Sequence, residues 1–546
     1  MTAQQRGSVI AVLLALLPVT GSAPALADTL VDNVDGRTIG DKGAIERFTG
    51  LLIDNEGRIA AVLKQDDKRP VHVDYRVDGG GKVLLPGMID AHVRLMDTGF
   101  AALTLDVREA TSPAQMQERI AAYAARYPDR AWIIGSGWDD SDLFVPATPP
   151  VARPIWLTSR DGDAGWANGA ALAAARITAA TKDPPGGRIV RDRLGKPTGL
   201  LIGTARDLVT RVVPPPRPLD RDMAFRVAQR LMLERGVTAV SDIGTTIEDW
   251  QTYRRAGDNG ALSIRISAYA AGIEAMTLIA GPTPTPWLYA DKLRLTGVAF
   301  TLDGSLATRG ALLKQAYADA PNALGLARHG PTPLRNLMSR AAMDGFQISL
   351  QATGDAAVAE ALDAIGELAE TYKGDRRWRI DGAQMVDPAD LPRMATQGIA
   401  VTISPQDRPS DLAIAKARLG AERLSGTFAW KSLAANSATL AFGSSAPAHR
   451  ADPFAALAAA TDTSEERLPP VSAFAAVTAN GAMANRAEDR FGRISPGLRA
   501  DFVFVDTDPL LTSPAQLCQT QVLETWIAGR KVFDRAEASE TSVLMR

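Results

Sequence analysis

Histidine, the commonest metal-binding side chain, is scarce in this chain: His72, His92, His329 and His449 are all there is in 546 residues. Cysteine is scarcer still. Cys518 stands alone, so no intramolecular disulfide can form. An exported protein without disulfides must rely on its core, and a chain of this length has enough residues to build one. A bias of charge is also missing. The 60 basic and 62 acidic residues leave a net charge of −2 with no long block of either sign. Nothing in that balance implies nucleic acid or an anionic membrane surface as a partner. No apolar run reaches the ~20 residues of a membrane-spanning helix. No internal repeat or low-complexity tract stands out. With 46% hydrophobic residues, the composition is that of an ordinary globular protein.

The N-terminus reads as an export signal. Arg6 precedes the apolar run from Ser8 to Leu17, and Ala25-Leu26-Ala27 supplies an A-x-A cleavage site before Asp28. Residues 1–27 are therefore expected to be a signal peptide, and the protein to be periplasmic or secreted. Short β-like runs fill residues 28–86 and recur over 494–546. Each half alone would leave open sheet edges, so both chain ends are expected to form one composite β-sandwich domain. Between them, over 87–493, apolar β-runs alternate with helical stretches, the pattern of a parallel α/β fold. Eight runs can be placed: Met88–Val93, Thr238–Ile243, Ile264–Tyr269, Leu295–Leu302, Gln347–Ala352, Trp378–Asp381, Ala400–Ser404 and Thr439–Gly443. With helices such as Arg221–Arg235 and Ala356–Thr371 between them, they predict a (β/α)8 TIM barrel. Residues 100–215 are then an insertion after the first strand, closed by the proline-rich stretch Val213 to Pro218.

Several segments carry a family signal when read in order. They are Pro86-Gly87-Met88-Ile89-Asp90-Ala91-His92-Val93-Arg94, Leu302-Asp303-Gly304-Ser305-Leu306-Ala307-Thr308-Arg309-Gly310, Ala352-Thr353-Gly354-Asp355 and Ser495-Pro496-Gly497-Leu498-Arg499-Ala500-Asp501-Phe502. Each is weak alone. Together they resemble the amidohydrolase superfamily, in its amidohydrolase-3 or YtcJ-like branch, which acts on non-peptide carbon–nitrogen bonds. The resemblance implies one or two divalent metals, such as zinc, at the C-terminal ends of the barrel strands. There the metal polarises a carbonyl and generates hydroxide from bound water. It also implies where the ligands should fall. His92 keeps the first place of the H-x-H pair, but Arg94 takes the second. An arginine has five N–H donors and no lone pair, so it cannot ligate a cation. The lysine of strand four falls at Ala299, the histidine of strand five at Gln351, the E-H of strand six at Asp381-Gly382 and the aspartate of strand eight at Ser445. A D-G-H segment of the insertion reads Asp161-Gly162-Asp163. The expectation is a centre with no metal and no cofactor.

Candidate catalytic residues are His92, Asp381 and Ser445, and candidate substrate-binding residues are Arg94, Asp163, Asp303 and Gln351. Ser445 and His92, on adjacent strands of a closed barrel, could act as nucleophile and base, but Gly443-Ser444-Ser445-Ala446-Pro447 is not a G-x-S-x-G elbow. Arg94 either pairs with an internal carboxylate (Asp381, Asp163 or Asp303) or holds the acidic group of a ligand. Asp303 and Arg309 are also candidates for ordering the loop after strand four. Trp132, Trp138, Trp156 and Trp166 could line a pocket or simply pack. Three function classes remain open: a metal-free pseudoenzyme binding a ligand or partner, a hydrolase with replaced chemistry, and a weak metallohydrolase. The expected ligand is a small amide-like or carboxylate molecule. The sequence is silent on oligomeric state.

Overall fold

A computed structural model describes residues 29–138, 151–437 and 439–538. The leader expected at 1–27 and its cleavage point lie outside these residues. Eight parallel strands follow one another in chain order: β1 (Met88–Val93), β2 (Val237–Thr245), β3 (Arg265–Ala271), β4 (Leu293–Thr301), β5 (Gln347–Ala352), β6 (Arg379–Gly382), β7 (Ala400–Ile403) and β8 (Thr439–Phe442). Each strand is covered on both faces, by the barrel interior and by helices, so it reads as a nearly continuous apolar run. Helices such as Pro218–Leu233, Ile247–Asp258, Pro331–Met343 and Asp355–Thr371 form the outer layer. The ring closes beyond the ends of β8 and β1. Ser445 N donates to His92 O at 2.9 Å, and Arg94 N donates to Ala446 O at 3.0 Å. Gly443 permits that approach, because a Cβ there would stand 2.4 Å from His92 Cβ and 2.7 Å from His92 N. This is the (β/α)8 architecture expected from the eight apolar runs.

The two chain ends meet in one sheet of eight strands. Phe502–Val505 pairs antiparallel with Val83–Pro86, which lies beside Thr29–Ile39. Its core holds Val31, Phe48, Leu51, Ile53, Leu84, Phe502, Phe504 and Trp526. A buried ion pair ties this sheet to the barrel. Arg265 of β3 donates through Nη2 to Asp501 Oδ1 at 2.8 Å, and Asp501 O accepts from Gly87 N just before β1. The Ala500-Asp501-Phe502 motif is thus the joint between the two units.

The segment after β1 carries a six-stranded sheet of its own, from Leu105–Asp106 to Pro197–Gly203. Trp138 and Trp166 sit in one of its cores and Trp156 in the other, with Trp132 packed against the second. These tryptophans pack rather than line a pocket. No helix among the described residues is long and apolar enough to cross a membrane.

Candidate functional site

The barrel interior is polar at the level of β6. Arg379 and Asp381 stand two apart on that strand and therefore on the same face, and both are fully buried. Arg379 reaches Asp381 Oδ1 through Nε at 3.0 Å and Nη2 at 2.9 Å. Its other donors span the barrel, to Ala91 O of β1, Thr402 Oγ1 of β7 at 2.9 Å and Tyr269 Oη of β3 at 3.1 Å. Ser349 of β5 donates to the second oxygen of Asp381. Burial alone would raise the Asp381 pKa, but the Arg379 charge and these donors hold it well below the usual carboxylate range. Asp381 is therefore a permanent anion. His92 Nδ1 lies 3.4 Å from Asp381 Oδ2 and has no regular hydrogen-bond partner. That places a carboxylate behind the imidazole and leaves Nε2 without a partner among the described residues.

Ser445 does not join this pair as a nucleophile. Its Oγ is 2.6 Å from Ser404 Oγ, and it meets His92 only through the main chain. Its φ of 54° is in the left-handed region, a conformation that costs a non-glycine residue about 1–3 kcal/mol. Gln351, half-buried at the end of β5, accepts a 3.3 Å bond from Thr301. Ala299 and Gly382 bring no donor atom to the mouth.

The two acidic candidates are held by main chain. Asp303 accepts from Leu312 N, Thr353 N and Gly354 N at 2.8–2.9 Å and orders the loops after β4 and β5. Burial raises its pKa to about 7 despite these bonds. Asp163 accepts from Thr308 Oγ1 at 2.6 Å, from Ser305 N at 3.1 Å and from Arg328. It docks the insertion onto the β4 loop. Arg309 pairs with Asp319. These contacts give Asp303 and Asp163 a role in ordering the loops around the mouth. Arg94 bonds neither of them, nor Asp381. Its side chain, half-buried at the C-terminal end of β1, has no hydrogen bond or ion pair to a described residue.

The remaining histidines lie elsewhere. His449 pairs with Asp407 at 2.9 Å, His329 packs edge-on against Phe300, and His72 is exposed in the loop before the strand Tyr75–Asp78. Among the described residues, no group of three or more His, Cys, Asp or Glu gathers as a cation site would need. A catalytic zinc takes three protein ligands. One imidazole beside a carboxylate already bonded by arginine and serine does not fit that requirement.

The profile described as the amidohydrolase family matches residues 76–533. The chain belongs to the amidohydrolase family. YtcJ, a protein of Bacillus subtilis named as an amidohydrolase, is 31% identical over 84% of this chain and 90% of its own length. Protein LONG AFTER FAR-RED 3 of Arabidopsis thaliana is 30% identical over 95% of this chain and 94% of its own. The N-substituted formamide deformylase of Arthrobacter pascens is 25% identical over 93% and 99%. An uncharacterized metal-dependent hydrolase from Pyrococcus horikoshii superposes with a TM-score of 0.73, covering 89% of this chain and 99% of its own, at 23% identity. That likeness concerns the fold. Within it, reading the sequence missed Arg379, Tyr269 and Ser349, although Arg379 was signalled by its two-residue spacing from Asp381.

Proposed function

We propose that this chain is an exported amidohydrolase-family protein with a metal-free centre. Hydrolysis of non-peptide carbon–nitrogen bonds there is severely impaired or takes another route, and the barrel mouth binds a small amide-like or carboxylate molecule. The observation that carries this reading is the donor set. His92, Arg94, Ala299, Gln351, Gly382 and Ser445 occupy the ends of the strands where the family resemblance implies ligands, and only His92 is a good one. Any remaining hydrolysis falls to His92. With Asp381 behind Nδ1, Nε2 is the base able to take a proton from water attacking a carbonyl.

Elemental analysis of purified protein, covering zinc, manganese and iron, should find far less than one ion per chain. Stoichiometric metal that disappears in His92→Ala would refute the reading. Hydrolysis of N-substituted formamides, the substrates named for one relative, and of other amides should be slow and unaffected by added zinc. A second reading, a non-catalytic binding protein, is favoured by the engagement of Ser445 with Ser404. A slow hydrolysis that His92→Ala abolishes selects the rerouted enzyme; no hydrolysis above buffer selects the binding protein.

A further inference from the structure

Ser404 directly follows β7, and Ser445 lies three residues beyond β8. Thr402 of β7 turns its hydroxyl to Arg379 inside the barrel. The ladder between the two strands continues past it, with Gly443 N donating to Ile403 O at 2.9 Å. Ser404, two residues after Thr402, therefore faces the same interior one step nearer the mouth. Ser445 is pinned beside His92. Its amide donates to His92 O at 2.9 Å, and the chain before it runs so close that a Cβ on Gly443 would stand 2.4 Å from His92 Cβ. The two serine hydroxyl oxygens lie 2.6 Å apart. Ser404 is 8% exposed, and Ser445 is half-buried.

A hydroxyl brings one proton and two lone pairs. The bond between Ser404 and Ser445 uses one of the pair's two protons, and no acceptor among the described residues takes the other. Ser349, lower in the same barrel, gives its proton to Asp381. A buried hydroxyl proton without an acceptor is unfavourable, so the pair is completed only by a group that enters from the mouth. Ser445 also holds φ at 54°. A non-glycine residue keeps that conformation only where its surroundings impose it, and such residues gather at functional sites.

We propose that the Ser404–Ser445 pair is the carbonyl-binding site of the barrel mouth: it donates its second hydroxyl proton to the oxygen of a small secondary amide whose carbonyl carbon faces His92. The role rests on the metal-free reading of the mouth, because it gives to two hydroxyls the carbonyl that the family's metal polarises. Two hydroxyls in series polarise the outer proton more than one does alone. In turnover, water adds to the carbonyl carbon and gives a proton to His92 Nε2, while the C=O π pair moves on to the oxygen held by the hydroxyl. Collapse then breaks the C–N bond as the imidazolium returns the proton to the leaving amine. A neutral donor supports that oxyanion less than a divalent cation does, in keeping with slow hydrolysis.

The test is isotope-edited infrared spectroscopy of N-butylformamide, labelled at its carbonyl carbon and bound to the purified full chain. N-substituted formamides are the class named for one relative. Dissociation constants and metal content are measured on the same samples. A hydroxyl bond lowers the carbonyl stretch, so the bound band should lie below its position in Ser404→Ala/Ser445→Gly. That double variant should bind about three- to tenfold more weakly, the worth of one neutral hydrogen bond. The matching thioformamide, a weaker acceptor, should bind both proteins alike. Ser445→Gly alone removes one hydroxyl at a φ that glycine takes without strain, so its melting temperature should hold while the band moves part of the way. A band and an affinity unchanged in the double variant overturn the site, and so does metal-free wild type that does not bind the formamide. If the double variant melts far below wild type, Ser445→Gly decides, and an unmoved band there overturns the site. Stoichiometric metal overturns the metal-free reading beneath it instead.

Discussion

Replacing Arg379 by methionine removes the only arginine or lysine bonded to Asp381 among the described residues, while keeping an unbranched apolar side chain. Both residues are fully buried. Taking one partner from a buried ion pair costs about 3–5 kcal/mol, because the other charge is left uncompensated. The bonds from Arg379 to Ala91 O, Thr402 and Tyr269 are lost as well, which argues for the upper end. The loss should depend on pH in a defined sense. In the wild type the folded pKa of Asp381 is depressed, so its stabilisation is present above the unfolded value of about 3.9 and fades only as pH falls through the folded one. In Arg379→Met burial is unopposed and the folded pKa rises above the unfolded one. The deficit must then grow as pH rises from about 4. Urea unfolding of wild type and variant, followed by tryptophan fluorescence at pH 5 and pH 8, measures this directly. Adding Asp381→Asn to Arg379→Met should restore much of the loss at pH 8, since no charge remains to be stranded. An equal deficit at both pH values, or a double variant no better than the single one, would refute the account.

Asp242 accepts bonds from Leu95 N, Thr245 and Tyr253, yet burial, with Asp249 adding its charge, raises its pKa to about 6. Stability present below pH 4 should fall as pH rises through 6, by about 3 kcal/mol at most, and Asp242→Asn should flatten that part of a stability–pH curve. Gly443→Ala would press a methyl group into His92 and should destabilise by about 1–3 kcal/mol, read as a lowered urea midpoint. Deleting residues 494–546 removes the partner strand of Val83–Pro86, so hydrogen exchange should accelerate across residues 29–86; unchanged exchange would contradict the pairing. Mass spectrometry of the protein from its native envelope fraction should find a mature chain beginning at Asp28, and a retained leader in the cytoplasm would contradict export.

The barrel was legible because its strands are buried on both sides, which writes each as an apolar run with little alternation. The run Gln347–Ala352 matches its strand end for end, and Thr238–Ile243 lies inside Val237–Thr245. The union of the chain ends was legible too, since neither set of short strands could close its own edges. What could not be read was which polar groups face one another. Asp303 looked like a mouth carboxylate, but three main-chain amides from distant loops engage it, and no local pattern encodes their arrival. Arg328 lies more than a hundred residues from Asp163 and reaches it only because the insertion docks on the loop after β4. Motif positions divide on the same line. Asp501 and Gly443 in their motifs, like Asp303, hold the frame together, and any change there disturbs packing or a buried polar bond. His92, Arg94, Gln351, Gly382 and Ser445 sit at the free ends of strands, where a side chain can change without moving the barrel. A chain can therefore keep every motif that names its family while the residues that would perform the family's reaction are exchanged. The fold gives the lineage and the strand ends give the chemistry.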